Sequence, residues 1–171
     1  MKHRQLVFTM VCCLSTIAAV VPATAKAATE DSDVAVASST DCVAAEHTLP
    51  CVEYVRNYDA DTLTVNIRDA HPLFGREIPV RVRGIDTPEM RGGARCEKEL
   101  AIKARDVVAK MLRSARRIDL VALERDKYFR VLADVMVDGR SLGELLLERR
   151  LAVGYDGGTK RLVDWCRMGS S

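Results

Sequence analysis

The chain has 171 residues, 48% of them hydrophobic and 29% charged, with a formal net charge of +2. These figures fit one soluble domain and exclude wholesale disorder and a strongly basic nucleic-acid coat, so any phosphate-binding surface has to be local. Three histidines, one of them His3, argue against multi-histidine metal chemistry, and an aromatic content of 5% argues against a surface built from stacked bases.

Residues 1–25 read as a secretory signal peptide. Lys2, His3 and Arg4 form a positive start, residues 6–21 are uncharged and mostly apolar, and Ala23-Thr24-Ala25 and Ala25-Lys26-Ala27 are small-x-small cleavage sites. The apolar run is short for a membrane span. No second such run follows, so the processed chain is expected to be soluble, without stable membrane association, in the periplasm or outside the cell. Cleavage after Ala25 removes Lys2 and Arg4 and no acid, leaving the remainder formally neutral. Residues 26–50, rich in Ala, Ser, Thr and Asp, read as a flexible lead-in, and residues 168–171 as a tail.

The domain is expected over residues 51–167. Strands are predicted at 52–57 and 62–68, joined by turn chemistry at Asn57-Tyr58-Asp59-Ala60-Asp61. After a loop at 69–75, Ile78, Val80 and Val82 alternate with Arg81 and Arg83, which places the arginines opposite the apolar face. Leu100, Ala101, Ala104, Val107, Val108, Met111 and Leu112 recur at helical spacing within 94–114. Strands at 118–123 and 131–137 follow, then an S-x-x-E capping box at Ser141 and Glu144 opening a helix to about residue 150. A last short helix is expected within 159–167. Five short strands with one intervening helix suit a small barrel, and the absence of a glycine-rich phosphate loop after a strand speaks against a dinucleotide-binding sheet.

Without the signal peptide the cysteines are Cys42, Cys51, Cys96 and Cys166, in an oxidising compartment where disulfides persist. Three pairings are possible. The favoured one joins Cys42 to Cys51 in a short loop and Cys96 to Cys166 across the chain. Zinc is a weak rival, since no C-x-x-C occurs and the histidines are not spaced as ligands.

Three clusters carry candidate chemistry: Asp59-Ala60-Asp61-Thr62, Arg81 followed by Ile85-Asp86-Thr87-Pro88-Glu89, and Asp126-Lys127-Tyr128-Phe129-Arg130. Asp61 and Asp86 are hard oxygen donors that, with a carbonyl and waters, suit Ca²⁺. Pro88 stiffens the turn between Asp86 and Glu89, so a ligand and a general base could sit close together. Arg81 and Arg130 come from separate strands and offer planar forks to phosphate oxygens. Taken singly, each cluster reads more simply as a turn, a solvated carboxylate or a surface ion pair.

Together and in this order the clusters resemble the staphylococcal nuclease (thermonuclease) family, from about residue 52 to 155. The resemblance implies an α+β, mainly β domain: a five-stranded OB-type barrel with two or three helices. It implies that Asp61 and Asp86 ligate Ca²⁺ by side chain and Thr87 by its backbone carbonyl, with Asp59 behind them. Glu89 would orient or deprotonate the attacking water, and Arg81 and Arg130 would bind the scissile phosphate. Lys127 and Tyr128 would meet a terminal phosphate, and Tyr155, more loosely matched, would stack on a base. The implied activity is hydrolysis of DNA or RNA phosphodiesters leaving 3′-phosphate ends, and a monomer is expected. Ala60 and Phe129 stand where the family usually has glycine, and the C-terminal part is short, with Gly157 and Gly158 in it. The alternative is an OB-type nucleic-acid-binding domain without catalysis. A disulfide-stapled interaction protein would leave the co-occurrence of Asp61, Arg81, Asp86, Glu89 and Arg130 without a reason.

Overall fold

The structure is a computed structural model and describes residues 42–169. The expected signal peptide, and the expected lead-in up to residue 41, lie outside the described residues. The elements in chain order are β1 (Thr48–Leu49), β2 (Glu53–Asn57), β3 (Thr62–Asn66), α1 (Pro72–Gly75), β4 (Ile78–Val82), β5 (Ile85–Asp86) and α2 (Arg95–Ser114). They continue with β6 (Ile118–Arg125), β7 (Val131–Val137), β8 (Arg140–Ser141), α3 (Leu142–Glu148), β9 (Val153–Gly154) and α4 (Trp165–Gly169).

The fold is mixed α+β, mainly strands, with four helices among the described residues. The five strands expected from alternation correspond to β2, β3, β4, β6 and β7. In β3, Leu63 and Val65 are fully buried while Thr62, Thr64 and Asn66 are not; in β7, Ala133, Val135 and Val137 face the core. The main sheet runs β1-β6-β7-β4-β3-β2, with β8 added to β7. This pairing is an open path among the described residues and does not close into a barrel. β4 is central, antiparallel to β3 and parallel to β7. A parallel neighbour requires a long crossover, and α2 lies within it.

The sequence-based expectation of two or three helices needs correction. The loop expected at 69–75 contains the one-turn α1, started by Pro72 and capped by His71, whose Nδ1 accepts from the Leu73 N–H at 3.2 Å. At the C-terminal end only Trp165–Gly169 is helical, so residues 159–164 of the expected last helix are not. Four two-residue strands were not legible either, because they hold no alternation long enough to read. One of them, β1, falls at the end of the lead-in and pairs with β6. The strand at 118–123 extends to Arg125, past a bulge at which Ala122 takes φ 52°.

α2 buries Leu100, Ala101, Ala104, Val108, Ala109 and Leu112 against the sheet. The cysteines lie at disulfide distance in two pairs, with Cα separations of 5.5 Å for Cys42–Cys51 and 5.2 Å for Cys96–Cys166. The second pair ties the first turn of α2 to α4, whose Trp165 is buried in the same core. Within the described residues no helix is long and apolar enough to cross a membrane.

Candidate active site

A cleft of about 960 Å³ opens over one end of the sheet. Four segments meet there: the turn into β3, the stretch from β4 through Glu89, the β6–β7 hairpin, and the segment after β9. It is lined by Asp59, Asp61, Arg81, Thr87, Glu89, Lys127, Tyr128, Arg130 and Tyr155. Of the residues singled out from the sequence as ligands, phosphate binders or bases, only Asp86 is outside that lining. It opens onto an adjoining cleft of about 700 Å³ behind β9.

The turn into β3 is an Asx turn. Asp59 Oδ1 accepts from the N–H groups of Thr62 at 2.7 Å and Asp61 at 3.2 Å. Asp59 is therefore first a turn-maker. Ala60 is buried and has no positive φ, so the residue at the family's glycine position is accommodated there. The turn aims Asp61 inward, where Oδ2 accepts from Thr87 Oγ1 at 2.9 Å and Thr87 N at 3.2 Å. Burial pushes the Asp61 carboxyl up to about 6; the Asp59 and Asp86 charges add to the rise, and the Arg81 guanidinium and the Thr87 hydrogen bond oppose it.

Arg81 is the hub of the carboxylates. From β4 its Nη1 lies 3.2 Å from Asp61 Oδ2 and its Nη2 3.8 Å from Asp86 Oδ1, with the side chain 11% exposed. It also donates to the carbonyls of Asp61, Val82 and Ile85 at 3.2, 3.1 and 2.7 Å. Alternation places Arg81 opposite the apolar side of β4, as the sequence suggests, yet it is held in by these acceptors and is not a free surface cation. Gly84 takes φ +76° in the turn from β4 to β5, a conformation other residues adopt only with strain. β5 then pairs with β9, Asp86 opposite Val153 and Ile85 opposite Gly154. That pairing carries Tyr155 into the cleft, where its N–H donates to the Gly84 carbonyl at 2.9 Å.

Glu89 is exposed at the rim. Its partner escaped the sequence reading: Lys160 Nζ lies 2.5 Å from Glu89 Oε1 and 2.9 Å from Asp86 Oδ1. Burial works to lower the Lys160 pKa, but the hydrogen bonds and charges of Glu89 and Asp86 prevail and raise it. Lys160 follows Asp156-Gly157-Gly158-Thr159 with no periodic signal around it. Only the β5–β9 pairing brings this segment beside residues some seventy positions earlier in the chain.

The third cluster is a hairpin turn that also presents cations. Asp126 Oδ1 accepts from the N–H groups of Tyr128 at 2.8 Å and Arg130 at 2.9 Å, and its Oδ2 accepts from Arg130 Nε at 2.7 Å. Partial burial pushes the Asp126 carboxyl up, yet these bonds outweigh it and hold the group below its usual range. Phe129 occupies the left-handed region at φ 62° with its ring 80% exposed. Its backbone thus takes the conformation that favours glycine. Arg130 Cζ lies 5.5 Å and Lys127 Nζ 5.4 Å from the Tyr128 ring centre.

Asp61 and Asp86 are hard oxygen donors of the type a divalent cation takes. Asp61 and Asp86 bring buried carboxylates to either side of one guanidinium, and Asp86 Oδ1 is buried without an aligned hydrogen bond despite its ion pair with Lys160. Among the described residues no three of His, Cys, Asp and Glu group closely enough to hold a metal. The Thr87 carbonyl and water would have to complete a shell, as Ca²⁺ permits.

No curated protein matches the chain. Residues 79–162 match the model of the staphylococcal nuclease homologue family. The match takes in β4, the Asp86–Glu89 turn, the β6–β7 hairpin and the segment to Lys160, while Asp59 and Asp61 precede it. Over residues 79–162 the chain is thus similar to the staphylococcal nuclease homologue family.

Proposed function

We propose that the protein is an exported, monomeric, Ca²⁺-dependent nuclease that hydrolyses phosphodiester bonds of DNA or RNA. The observation that carries this reading is the convergence of Asp61, Arg81, Glu89 and Arg130 from three segments on one cleft. The OB-type barrel implied by the resemblance belongs to the same reading, and so do the signal peptide at 1–25 and a domain over 51–167.

Asp61 and Asp86, with the Thr87 carbonyl, would hold the cation. When bound, Ca²⁺ would supply positive charge that offsets the charge gathering on the phosphate. Glu89, at the solvent-facing rim, accepts a proton from water as that water's oxygen bonds to phosphorus. The bond from phosphorus to the 5′ oxygen breaks and that oxygen takes a proton from solvent water, leaving a 3′ phosphate and a 5′ hydroxyl. Arg130, anchored through Nε by Asp126, turns its remaining N–H groups to the phosphate and stabilises the charge gathered in the pentacoordinate state. Arg81 has most of its donors engaged, so its first contribution is to hold the Asp61 and Asp86 carboxylates in place. Lys127 and Tyr128 receive a neighbouring phosphate, and Tyr155 flanks a base.

The position of Lys160 favours a second reading. An ammonium already between Asp86 and Glu89 would suit a nucleic-acid-binding domain that needs no metal. A plasmid-nicking and RNA-digestion assay with Ca²⁺ and with a chelator, on wild type and Glu89→Gln, separates the two. Calcium-dependent cleavage lost by orders of magnitude in the variant, with nucleotide binding retained, supports the nuclease. Binding without cleavage supports the binding domain.

A further inference from the structure

We infer that a second cleft, between β2 and α2, takes the single-stranded continuation of the nucleic acid beyond the scissile phosphate. This rests on the nuclease reading and extends it from a bond to a strand. The second cleft has a volume of about 710 Å³. Asp59 and Glu89 line the first cleft, and their chain neighbours Tyr58 and Met90 line the second. The two linings therefore adjoin along the chain at two points, which sets Tyr58 next to the edge of the first cleft.

The charge on the far side is of the sign a phosphodiester requires. Lys110 and Arg113, one turn apart on α2, are exposed and make no ion pair among the described residues. The acids nearby are already neutralised: Asp106 pairs with Arg105 at 2.8 Å, and Glu77 pairs with Arg56. The surplus is thus positive in a chain whose processed form is otherwise near neutral.

Tyr58 supplies a platform where the two linings adjoin. Its side chain is 54% exposed, and Arg91 Cζ lies 5.6 Å from the ring centre. An exposed aromatic ring backed by a cation, leading into a basic groove, is how single strands are bound without sequence preference. Tyr128 with Lys127 and Arg130 repeats the arrangement in the first cleft. Stacking on Tyr58 needs a base free of its partner, which a paired duplex does not offer.

The test is fluorescence anisotropy in a Ca²⁺ chelator. The probes are a labelled single-stranded oligonucleotide long enough for both clefts, a blunt duplex of the same length, and a mononucleotide carrying 3′ and 5′ phosphates. Lys110→Ala/Arg113→Ala is expected to bind the single strand about tenfold more weakly, with a salt slope shallower by about 1.4 for two lost cations. Its affinity for the mononucleotide is expected to be unchanged. Tyr58→Ala is expected to lose about fivefold or more on the single strand, and Tyr58→Trp to recover it. Wild-type affinity and salt slope in the double variant would overturn the inference, and so would an equal loss on the duplex. Failure of the nuclease reading shows separately, as a wild-type protein that binds the single strand in this length-dependent way and cleaves nothing when Ca²⁺ is restored.

Discussion

Lys160→Met tests the proposed cation site at its most exposed point. The ammonium sits 2.5 Å from Glu89 Oε1 and 2.9 Å from Asp86 Oδ1, so a divalent ion drawn to Asp86 has to displace it. Lys160 and Glu89 are 50% and 58% exposed, which limits each pair to the fraction of a kcal/mol typical of solvent-screened contacts. Asp86 is 10% exposed and its pair is the better shielded of the two. Together the two contacts come to about 1 kcal/mol, or roughly a fivefold change in a binding constant. Methionine keeps an unbranched apolar stem of nearly the same length and removes the charge. Calorimetric titration of the nucleotide-free protein with Ca²⁺ is expected to show about fivefold tighter binding in the variant. Unchanged or weaker binding would refute the reasoning, because Lys160 would then not stand in the ion's way.

Asp61 gives a pH dependence. Its folded pKa of about 6 lies above the ordinary 3.8, so the folded form holds the proton more tightly than the unfolded chain. The stability this adds is complete below pH 3.8 and is lost as pH rises through about 6, a change of roughly 3 kcal/mol. Chelator-treated protein should show that loss in urea melts, Asp61→Asn should lack it, and identical profiles would contradict the assignment. Opening the cysteine pairs should cost more for Cys96–Cys166, separated by 70 residues, than for Cys42–Cys51, separated by 9: about 4 against about 3 kcal/mol from loop closure. Paired serine variants compared by urea melts check the order, and a larger loss from the short loop would contradict it. Phe129→Gly removes left-handed strain from an exposed ring, worth about 1–2 kcal/mol, against about 0.5–1 for glycine's freedom in the unfolded chain. A small net gain in unfolding free energy is expected, and a clear loss would show that the ring contributes packing.

Much of the fold was legible because it rests on local periods. Alternation in Leu63 and Val65, and in Ala133, Val135 and Val137, marks strands whose one face is buried. The spacing of Leu100, Ala104 and Val108 marks α2. The order of Asp59-Ala60-Asp61-Thr62, Asp86-Thr87-Pro88-Glu89 and Asp126-Lys127-Tyr128-Phe129-Arg130 pointed to a family, and the match over residues 79–162 bears that out. The last helix, expected in the segment 159–167, begins only at Trp165 because a short polar run after two glycines has no period to test, and α1 was missed because four residues are too few to show one.

What sequence determined by itself was which residues are apolar on which face, where the turns fall and which side chains bear charge, since these follow from covalent neighbours and short-range spacing. Tertiary structure alone decided which charges meet. Arg81 reads as an outward-facing strand residue, and only the β3–β4 and β5–β9 pairings surround it with Asp61, Asp86 and three carbonyls. Lys160 reads as a loop lysine until β9 carries it to Glu89. Tyr58 and Arg113 share a groove because Asn57 Nδ2 donates to the Arg105 carbonyl at 3.1 Å and holds β2 against α2. Such encounters depend on long-range pairing, and no local pattern encodes the distance between residues that the fold, rather than the chain, makes neighbours.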